Sequence, residues 1–149
     1  MSGLGLRLRA LVLTRRARRY LARSTTTATL TRLVGTAPAR PREGVAGIDH
    51  ARALAAVRAA TRATAAPCLP QAVALTALLA RHGETPALIL GCRRYPDGRW
   101  GAHAWVECAG DVLDPVPSGA HAALARCDAR GGWVPAPVAG SEPLDGERG

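Results

Sequence analysis

The sequence lacks lysine and phenylalanine altogether, and its aromatic residues are limited to three tryptophans and two tyrosines. A chain of 149 residues is long enough for one domain with one core, and this core must be aliphatic. All 20 basic residues are arginine. Together with the abundance of alanine, this is typical of a GC-rich coding bias, so the preference for arginine carries no functional argument by itself.

Long apolar runs are also missing. No stretch approaches the roughly 20 apolar residues that a membrane-spanning helix requires. The apolar residues at 4–13 are interrupted by Arg7 and Arg9, which argues against a secretory signal. We therefore expect a cytoplasmic protein without a membrane span. No glycine-rich nucleotide-binding motif occurs, and no cofactor is predicted.

The cysteines are not spaced like metal ligands. The four thiols are 24, 16 and 19 residues apart, with no CxxC or cysteine–histidine zinc spacing, at Cys68, Cys92, Cys108 and Cys127. We therefore expect free thiols and no structural metal.

The charge is unevenly distributed along the chain. Residues 1–66 contain 13 arginines and two acidic residues, a net charge of +11, whereas residues 67–149 contain seven arginines and nine acidic residues, a net charge of −2. This division indicates a basic interaction segment joined to a domain that carries the activity. A nucleic-acid-binding module is the weaker interpretation, because no aromatic residues are interleaved with the arginines and no known motif is present.

The first half of the chain has the pattern of helices. Apolar and basic residues alternate at helical spacing over 4–23, a Ser/Thr cluster at 24–27 can cap a short helix over 28–34, and Asp49 can cap a helix over 50–64. The proline-containing residues 35–47 read as a linker. We therefore divide the chain into a basic helical segment with its linker, a core and a disordered tail, at 1–47, 48–139 and 140–149.

The core pattern is one helix followed by strands. Apolar residues at helical spacing predict a helix over 69–82 that ends at Gly83. Strands are predicted over 87–92, 102–108 and 112–114, separated by short turns. Hairpin connections favour an antiparallel sheet, and the fold class is α+β.

Three residues in this core have the order of a thiol-based active site. Cys68 lies at the start of the predicted helix, where unpaired N–H groups and the helix dipole favour the thiolate. His103 on the second strand can accept the thiol proton. Asp114 on the third strand can orient the imidazole. The predicted catalytic residues are therefore Cys68, His103 and Asp114.

Other polar residues offer alternatives. Asp111 lies close to Asp114 in sequence and stays open as the third member. Glu107 is about 13 Å from His103 along an extended strand, which ranks it lower. The remaining histidines are interpreted as structural or without context, at His50, His82 and His121. Cys92 and Cys108 are expected to be buried on strands, and Cys127 has no context.

The segments CLPQAVALTALLARHG, PALILGCRR and GAHAWVECAGDVLDP resemble the transglutaminase-like leader peptidases of lasso-peptide biosynthesis, of the microcin-processing type. The resemblance covers about residues 66–116, a third of the chain. It implies a papain- or transglutaminase-like core with a catalytic helix packed on a small antiparallel sheet. By this match Cys68 is the nucleophile, His103 the base and Asp114 the orienting acid. Pro70-Gln71 departs from the Arg-Ser-like pair expected there, which puts the substrate contacts of that turn in question.

The resemblance also implies partners. Such peptidases remove the leader from a ribosomally made precursor, so that a separate ATP-dependent cyclase can close the ring. The first 66 residues lack the pattern of a leader-binding winged-helix domain, which indicates the split type that depends on a separate small recognition protein. The basic segment would then meet an acidic leader or recognition protein, or else only pack on the catalytic domain. A transglutaminase-like acyltransferase or amidase is the alternative function.

Overall fold

The computed structural model describes residues 3–35, 47–114 and 121–136. Most of the predicted linker and the whole predicted tail lie outside these ranges. The described part contains four helices and five strands, in the order α1 (Gly3–Leu21), α2 (Thr26–Val34), α3 (His50–Thr64), α4 (Cys68–Arg81), β1 (Ala87–Arg94), β2 (Trp100–Cys108), β3 (Asp111–Leu113), β4 (Ala122–Asp128) and β5 (Trp133–Pro135).

The helix ends follow from their capping residues. The Thr25 side chain accepts a hydrogen bond from the Ala28 N–H at the start of α2, and Asp49 accepts one from the Arg52 N–H at the start of α3. Gly83 follows α4 with a φ of 85°, a left-handed conformation that glycine adopts at no steric cost. The predicted positions of these three helices are confirmed.

The strands form one antiparallel sheet in the order β3-β2-β1-β4-β5. The predicted α+β class and the three predicted strands are confirmed. The sequence pattern missed β4 and β5, because these segments are short and lie among glycine, proline and alanine residues. They form strands because β1 offers its second edge to β4, with Leu88 paired to Cys127.

The hydrophobic core lies between the helices and one face of the sheet. Helix α4 is buried along almost its whole length, from Ala72 to Ala80. Helices α1 and α2 contribute Leu6, Leu13, Leu30 and Leu33 to the same hydrophobic cluster. The described part of the basic segment therefore packs into the common core, while its arginines stay on the outer surface. Within the described ranges, no helix is both long enough and apolar enough to cross a membrane.

Candidate active site

Cys68 is the first residue of α4, and its side chain is half-buried. The preceding residue, Pro67, adopts an extended conformation and gives the helix no side-chain cap. The N–H groups of the first turn have no acceptor within a helix, and Pro70 has no N–H at all. The thiol therefore lies beside the positive end of the helix dipole, next to the N–H groups of Cys68 and Leu69, which can stabilise an oxyanion.

His103 lies on β2 opposite Gly91 of β1. Its Nε2 atom is buried and has no hydrogen-bond partner among the described residues. Leaving a buried polar atom unsatisfied costs about 1–3 kcal/mol, and such exceptions are found at functional groups. This nitrogen is therefore available to a thiol or a substrate.

The imidazole is held between aromatic rings. The Trp105 ring lies parallel to it, with 6.2 Å between the ring centres, and His121 is tilted against it at 5.6 Å. The Trp105 indole N–H donates to Glu107, which also accepts a hydrogen bond from Arg126. These contacts fix the tryptophan that faces the imidazole.

Gly91 makes room for this tryptophan. A Cβ at this position would be 2.6 Å from the Trp105 ring and 2.7 Å from the Ala122 carbonyl oxygen. Only glycine permits such a close approach. Gly91 therefore allows the Trp105 ring to lie beside His103.

The two predicted reacting groups are on different sides of β2. Ala104, Val106 and Cys108 belong to the cluster that packs on the helices, together with Cys68, whereas His103 shares the opposite face with Trp105. Within the described residues, no hydrogen bond joins the thiol to the imidazole. Strand β3 pairs only with the last three residues of β2. Within the described ranges, the edge of β2 beside His103 is therefore open.

Asp114 lies just beyond β3, with a φ of 62°. One carboxylate oxygen accepts hydrogen bonds from Arg58 Nε at 3.0 Å and Nη2 at 2.6 Å, and the other accepts one from the side-chain amide of Gln71. Because Leu113 pairs with Val106, Asp114 lies two register positions from His103. The carboxylate is bound to Arg58 and Gln71, and no hydrogen bond links it to His103 within the described residues.

The two alternative acids have other partners. The Asp111 carboxylate is exposed and lies 3.6 Å from His50 Nδ1, at the far end of β3 from Asp114. Glu107 is occupied by Trp105 and Arg126. Of the three carboxylates, Asp114 is the one bound to the helix that carries Cys68.

The other thiols differ from Cys68 in their surroundings. Burial and the nearby Glu84 raise the pKa of the Cys108 thiol. Burial and the adjacent Asp128 raise the pKa of Cys127 to about 11. Both thiols therefore stay protonated at neutral pH and are poor nucleophiles. Cys92 was expected to be buried, but it is only half-buried, because its strand neighbours Ala102 and Ala122 are too small to cover it.

Three residues around the site were not predicted to belong to it. Arg58 comes from α3, 56 residues before its partner Asp114, and no local pattern marks it. His121 precedes β4, a strand that the sequence did not predict. Of the three residues, only Gln71 stood out in the sequence, because Pro70-Gln71 replaces the Arg-Ser-like pair expected after Cys68-Leu69.

The arrangement suits acyl-transfer chemistry at a thiol, and comparison with known proteins agrees. Searches of curated proteins and of solved structures gave no match. A family model, described as the transglutaminase-like superfamily, matches residues 8–126. This range begins within α1 and extends into β4, so it includes the helices, the central strands and all three predicted catalytic residues. Because the match extends over well more than half of the sequence, the chain belongs to the transglutaminase-like superfamily.

Proposed function

We propose that the chain is a cysteine peptidase that removes the leader from a ribosomally synthesised lasso-peptide precursor before a separate cyclase closes the ring. One observation carries the proposal: the half-buried thiol of Cys68 lies at the uncapped start of a buried helix in a member of this superfamily. Such members are generally cysteine-peptidase-like enzymes. The choice of a lasso precursor rests on the resemblance of the segments around Cys68 and His103.

The proposed reaction proceeds through a thioester. In the proposed substrate complex, the Cys68 thiol and the His103 imidazole, which lie on different sides of β2, must come within reach of each other. His103 then accepts the thiol proton, and the Cys68 sulfur attacks the carbonyl carbon of the scissile bond. The N–H groups of Cys68 and Leu69 stabilise the negative oxygen that forms. When the C–N bond breaks, His103 returns the proton to the departing amine, which becomes the N-terminus of the core peptide. Water, deprotonated by His103, then attacks the thioester; the C–S bond breaks, the leader leaves with a free carboxylate, and His103 returns the proton to the Cys68 sulfur.

The open edge of β2 suggests where the substrate binds. An extended peptide can add to an exposed strand edge through its main chain, and the edge beside His103 is such a place. A peptide bound there would lie beside the imidazole of His103. Catalytic hydrogen bonds are often incomplete without substrate and tighten when it binds. The unsatisfied Nε2 of His103 is consistent with this requirement.

Asp114 is proposed as the acid that assists His103. Its carboxylate has about four acceptor positions, and three are used by Arg58 and Gln71. One position is left for the imidazole in the substrate complex.

The arginines on the outer surface of α1 are suited to binding an acidic partner. Arg15, Arg18 and Arg19, with Thr64 of α3, line a shallow depression of about 470 Å³. Arg18 also donates a hydrogen bond to the Thr64 carbonyl oxygen, so this arginine has a structural role as well. We propose that Arg15, Arg16 and Arg19 attract the precursor leader or a separate small recognition protein. The cyclase would act on the product and need not bind here.

Acyl transfer to an amine is the second candidate, because the same thioester can be attacked by an amine instead of water. Product analysis distinguishes the two functions. A lasso-peptide precursor is incubated with the enzyme and a candidate recognition protein, with and without a small primary amine, and the product masses are measured by mass spectrometry. Peptidase activity gives a leader with a free carboxylate in both reactions. A leader–amine adduct as the main product would establish the acyltransferase, and an uncut precursor would refute both.

A further inference from the structure

A second group of reactive side chains lies at the other end of α4. His50, Glu84 and Cys108 each offer one ligand atom, and these atoms all lie within 4.8 Å of one another. They come from the start of α3, the loop after α4 and the end of β2. We propose that these three side chains bind a zinc-like divalent metal ion that fastens α3, α4 and the β2–β3 hairpin together.

The donor set suits such an ion. An imidazole nitrogen, a carboxylate oxygen and a thiolate sulfur are all ligands of zinc, which accepts mixed sets in a tetrahedral arrangement. Ideal metal–ligand bonds of about 2.0–2.3 Å place neighbouring ligand atoms roughly 3.5 Å apart. The present atoms, which lie within 4.8 Å of one another, must therefore approach by up to about 1 Å when a metal binds. A fourth position is left for water.

The imidazole of His50 is oriented as in known metal sites. Its Nε2 lies 4.0 Å from Glu84 Oε2, and its Nδ1 lies 3.6 Å from Asp111 Oδ2. A metal-bound histidine usually donates its second N–H to a carboxylate, which fixes the tautomer and the ring direction. Asp111 is placed for this role, with Nε2 left to face the metal.

Space for Glu84 depends on a glycine. A Cβ at Gly47 would lie 2.3 Å from the Glu84 carboxylate. The chain therefore passes next to this carboxylate three residues before His50. Any other residue at position 47 would displace Glu84 from the cluster.

The charges balance when a dication is present. Cys108 is almost completely buried, with 3% of its surface exposed, and the side chains of His50 and Glu84 are about one-fifth exposed. Without a cation, a thiolate here would face the Glu84 carboxylate across a poorly solvated space. A divalent ion neutralises one thiolate and one carboxylate, and it releases the thiol proton on binding.

This site is separate from the thiol site. Cys68 begins α4, whereas Glu84 follows its end, and 14 helical residues at 1.5 Å each span about 21 Å. The proposal therefore does not depend on the proposed peptidase function. The competing interpretation is a metal-free cluster in which a protonated His50 bridges Glu84 and Asp111.

Metal analysis of the purified full-length protein tests the proposal. We expect wild type to retain about one equivalent of zinc after dialysis, and Cys68→Ala to retain the same amount. Cys108→Ser and His50→Gln should each bind zinc at least about tenfold more weakly, while the matched variants Cys92→Ser and His82→Gln should bind it normally. After removal of the metal with a chelator, added zinc should raise the melting temperature of wild type but not that of Cys108→Ser or His50→Gln.

Cobalt substitution gives a second measurement that is independent of activity. A thiolate-to-cobalt absorption band should appear in wild type and in Cys68→Ala and be absent from Cys108→Ser. His50→Gln tests the site even if Cys108→Ser fails to fold, because His50 is partly exposed at a helix start. Zinc-free wild type whose melting temperature does not respond to zinc would overturn the proposal in favour of the ion-pair cluster. Zinc lost from Cys68→Ala but kept by Cys108→Ser would assign the metal to the thiol site instead.

Discussion

The guanidinium of Arg58 holds the carboxylate of Asp114 with Nη2 2.6 Å and Nε 3.0 Å from the same oxygen. The other carboxylate oxygen is bound to Gln71, which is three residues after Cys68 and therefore on the same side of α4. Asp114 thus connects α3 to the helical turn that carries Cys68, the proposed nucleophile. This connection gives the aspartate a structural contact with the Cys68 turn, in addition to its proposed effect on His103.

Asp114→Asn should lower kcat, by less than the roughly 10⁴-fold loss seen for the same change in a serine triad, because a thiolate depends less on its base. KM should change little, and the pH profile of kcat should shift, since the imidazolium loses a negative neighbour. Asp111→Asn should lower kcat far less. Steady-state kinetics of precursor cleavage over pH 5–9 measure both variants.

Arg58→Gln separates the two roles of Asp114. If Asp114 acts mainly through His103, Arg58→Gln is mild and leaves the pH profile in place. Matching losses in Arg58→Gln and Asp114→Asn, with no shift of the pH profile, would show that the carboxylate only holds the α4 turn. Equal, mild losses in Asp114→Asn and Asp111→Asn would show that the wrong acid was chosen or that Cys68 and His103 suffice.

Reversal of Arg15, Arg16 and Arg19 to glutamate should raise KM for the leader-bearing precursor. Exposed charge pairs contribute only about 0–1 kcal/mol each, so the cluster acts mainly through the encounter rate, which salt screens. The increase should be large at low salt and small at high salt. Arg18 is kept because it is bonded to Thr64. Kinetics across a salt series measure the effect.

The matched control reverses Arg52, Arg94 and Arg130, which are exposed and change the net charge equally. It should affect KM much less. If both triple variants raise KM equally, the effect comes from net charge and not from the α1 surface. If the α1 variant instead loses thermal stability and activity on a short peptide, the arginines serve packing alone.

Stability should fall between pH 9 and 11. The pKa of Cys127 is about 11 in the folded protein against 9.0 for an ordinary thiol. In this window the Cys127 thiol has lost its proton in the unfolded chain and keeps it in the folded chain, so the free energy of unfolding decreases with pH. The slope reaches at most about 1.4 kcal/mol per pH unit for each thiol.

Urea denaturation at pH 8, 9, 10 and 11 measures this slope. Below pH 9 the thiols should have no effect. Cys127→Val removes the ionising group and fills a similar volume, so it should flatten the decline. If the free energy of unfolding of Cys127→Val falls with pH as steeply as that of wild type, the ionisation of Cys127 is not the cause of the decline.

Much of the fold could be predicted because it depends on local signals. Thr25 and Asp49 are capping residues, Gly83 is a helix terminator, and the alternation in β2 separates the helix-facing Ala104 and Val106 from His103. The strands β4 and β5 could not be predicted, since their formation depends on pairing with β1 rather than on their own composition.

The site was only partly predictable for the same reason. Cys68 and His103 are marked by their neighbours in sequence, and the helix start and the strand lie where expected. The partners of Asp114 are set by tertiary packing, which brings Arg58 from a distant helix. Spacing rules for metal sites likewise fail for His50, Glu84 and Cys108, because each comes from a different element.

The most direct measurement of the central claim is cleavage of the cognate precursor by Cys68→Ala, compared with Cys92→Ala and followed by mass spectrometry with circular dichroism as a check on folding. Removing one sulfur from a half-buried first-turn position should leave the fold intact and abolish leader removal, while Cys92→Ala should cleave at close to the wild-type rate. A folded Cys68→Ala variant that still removes the leader at the wild-type rate would contradict the account.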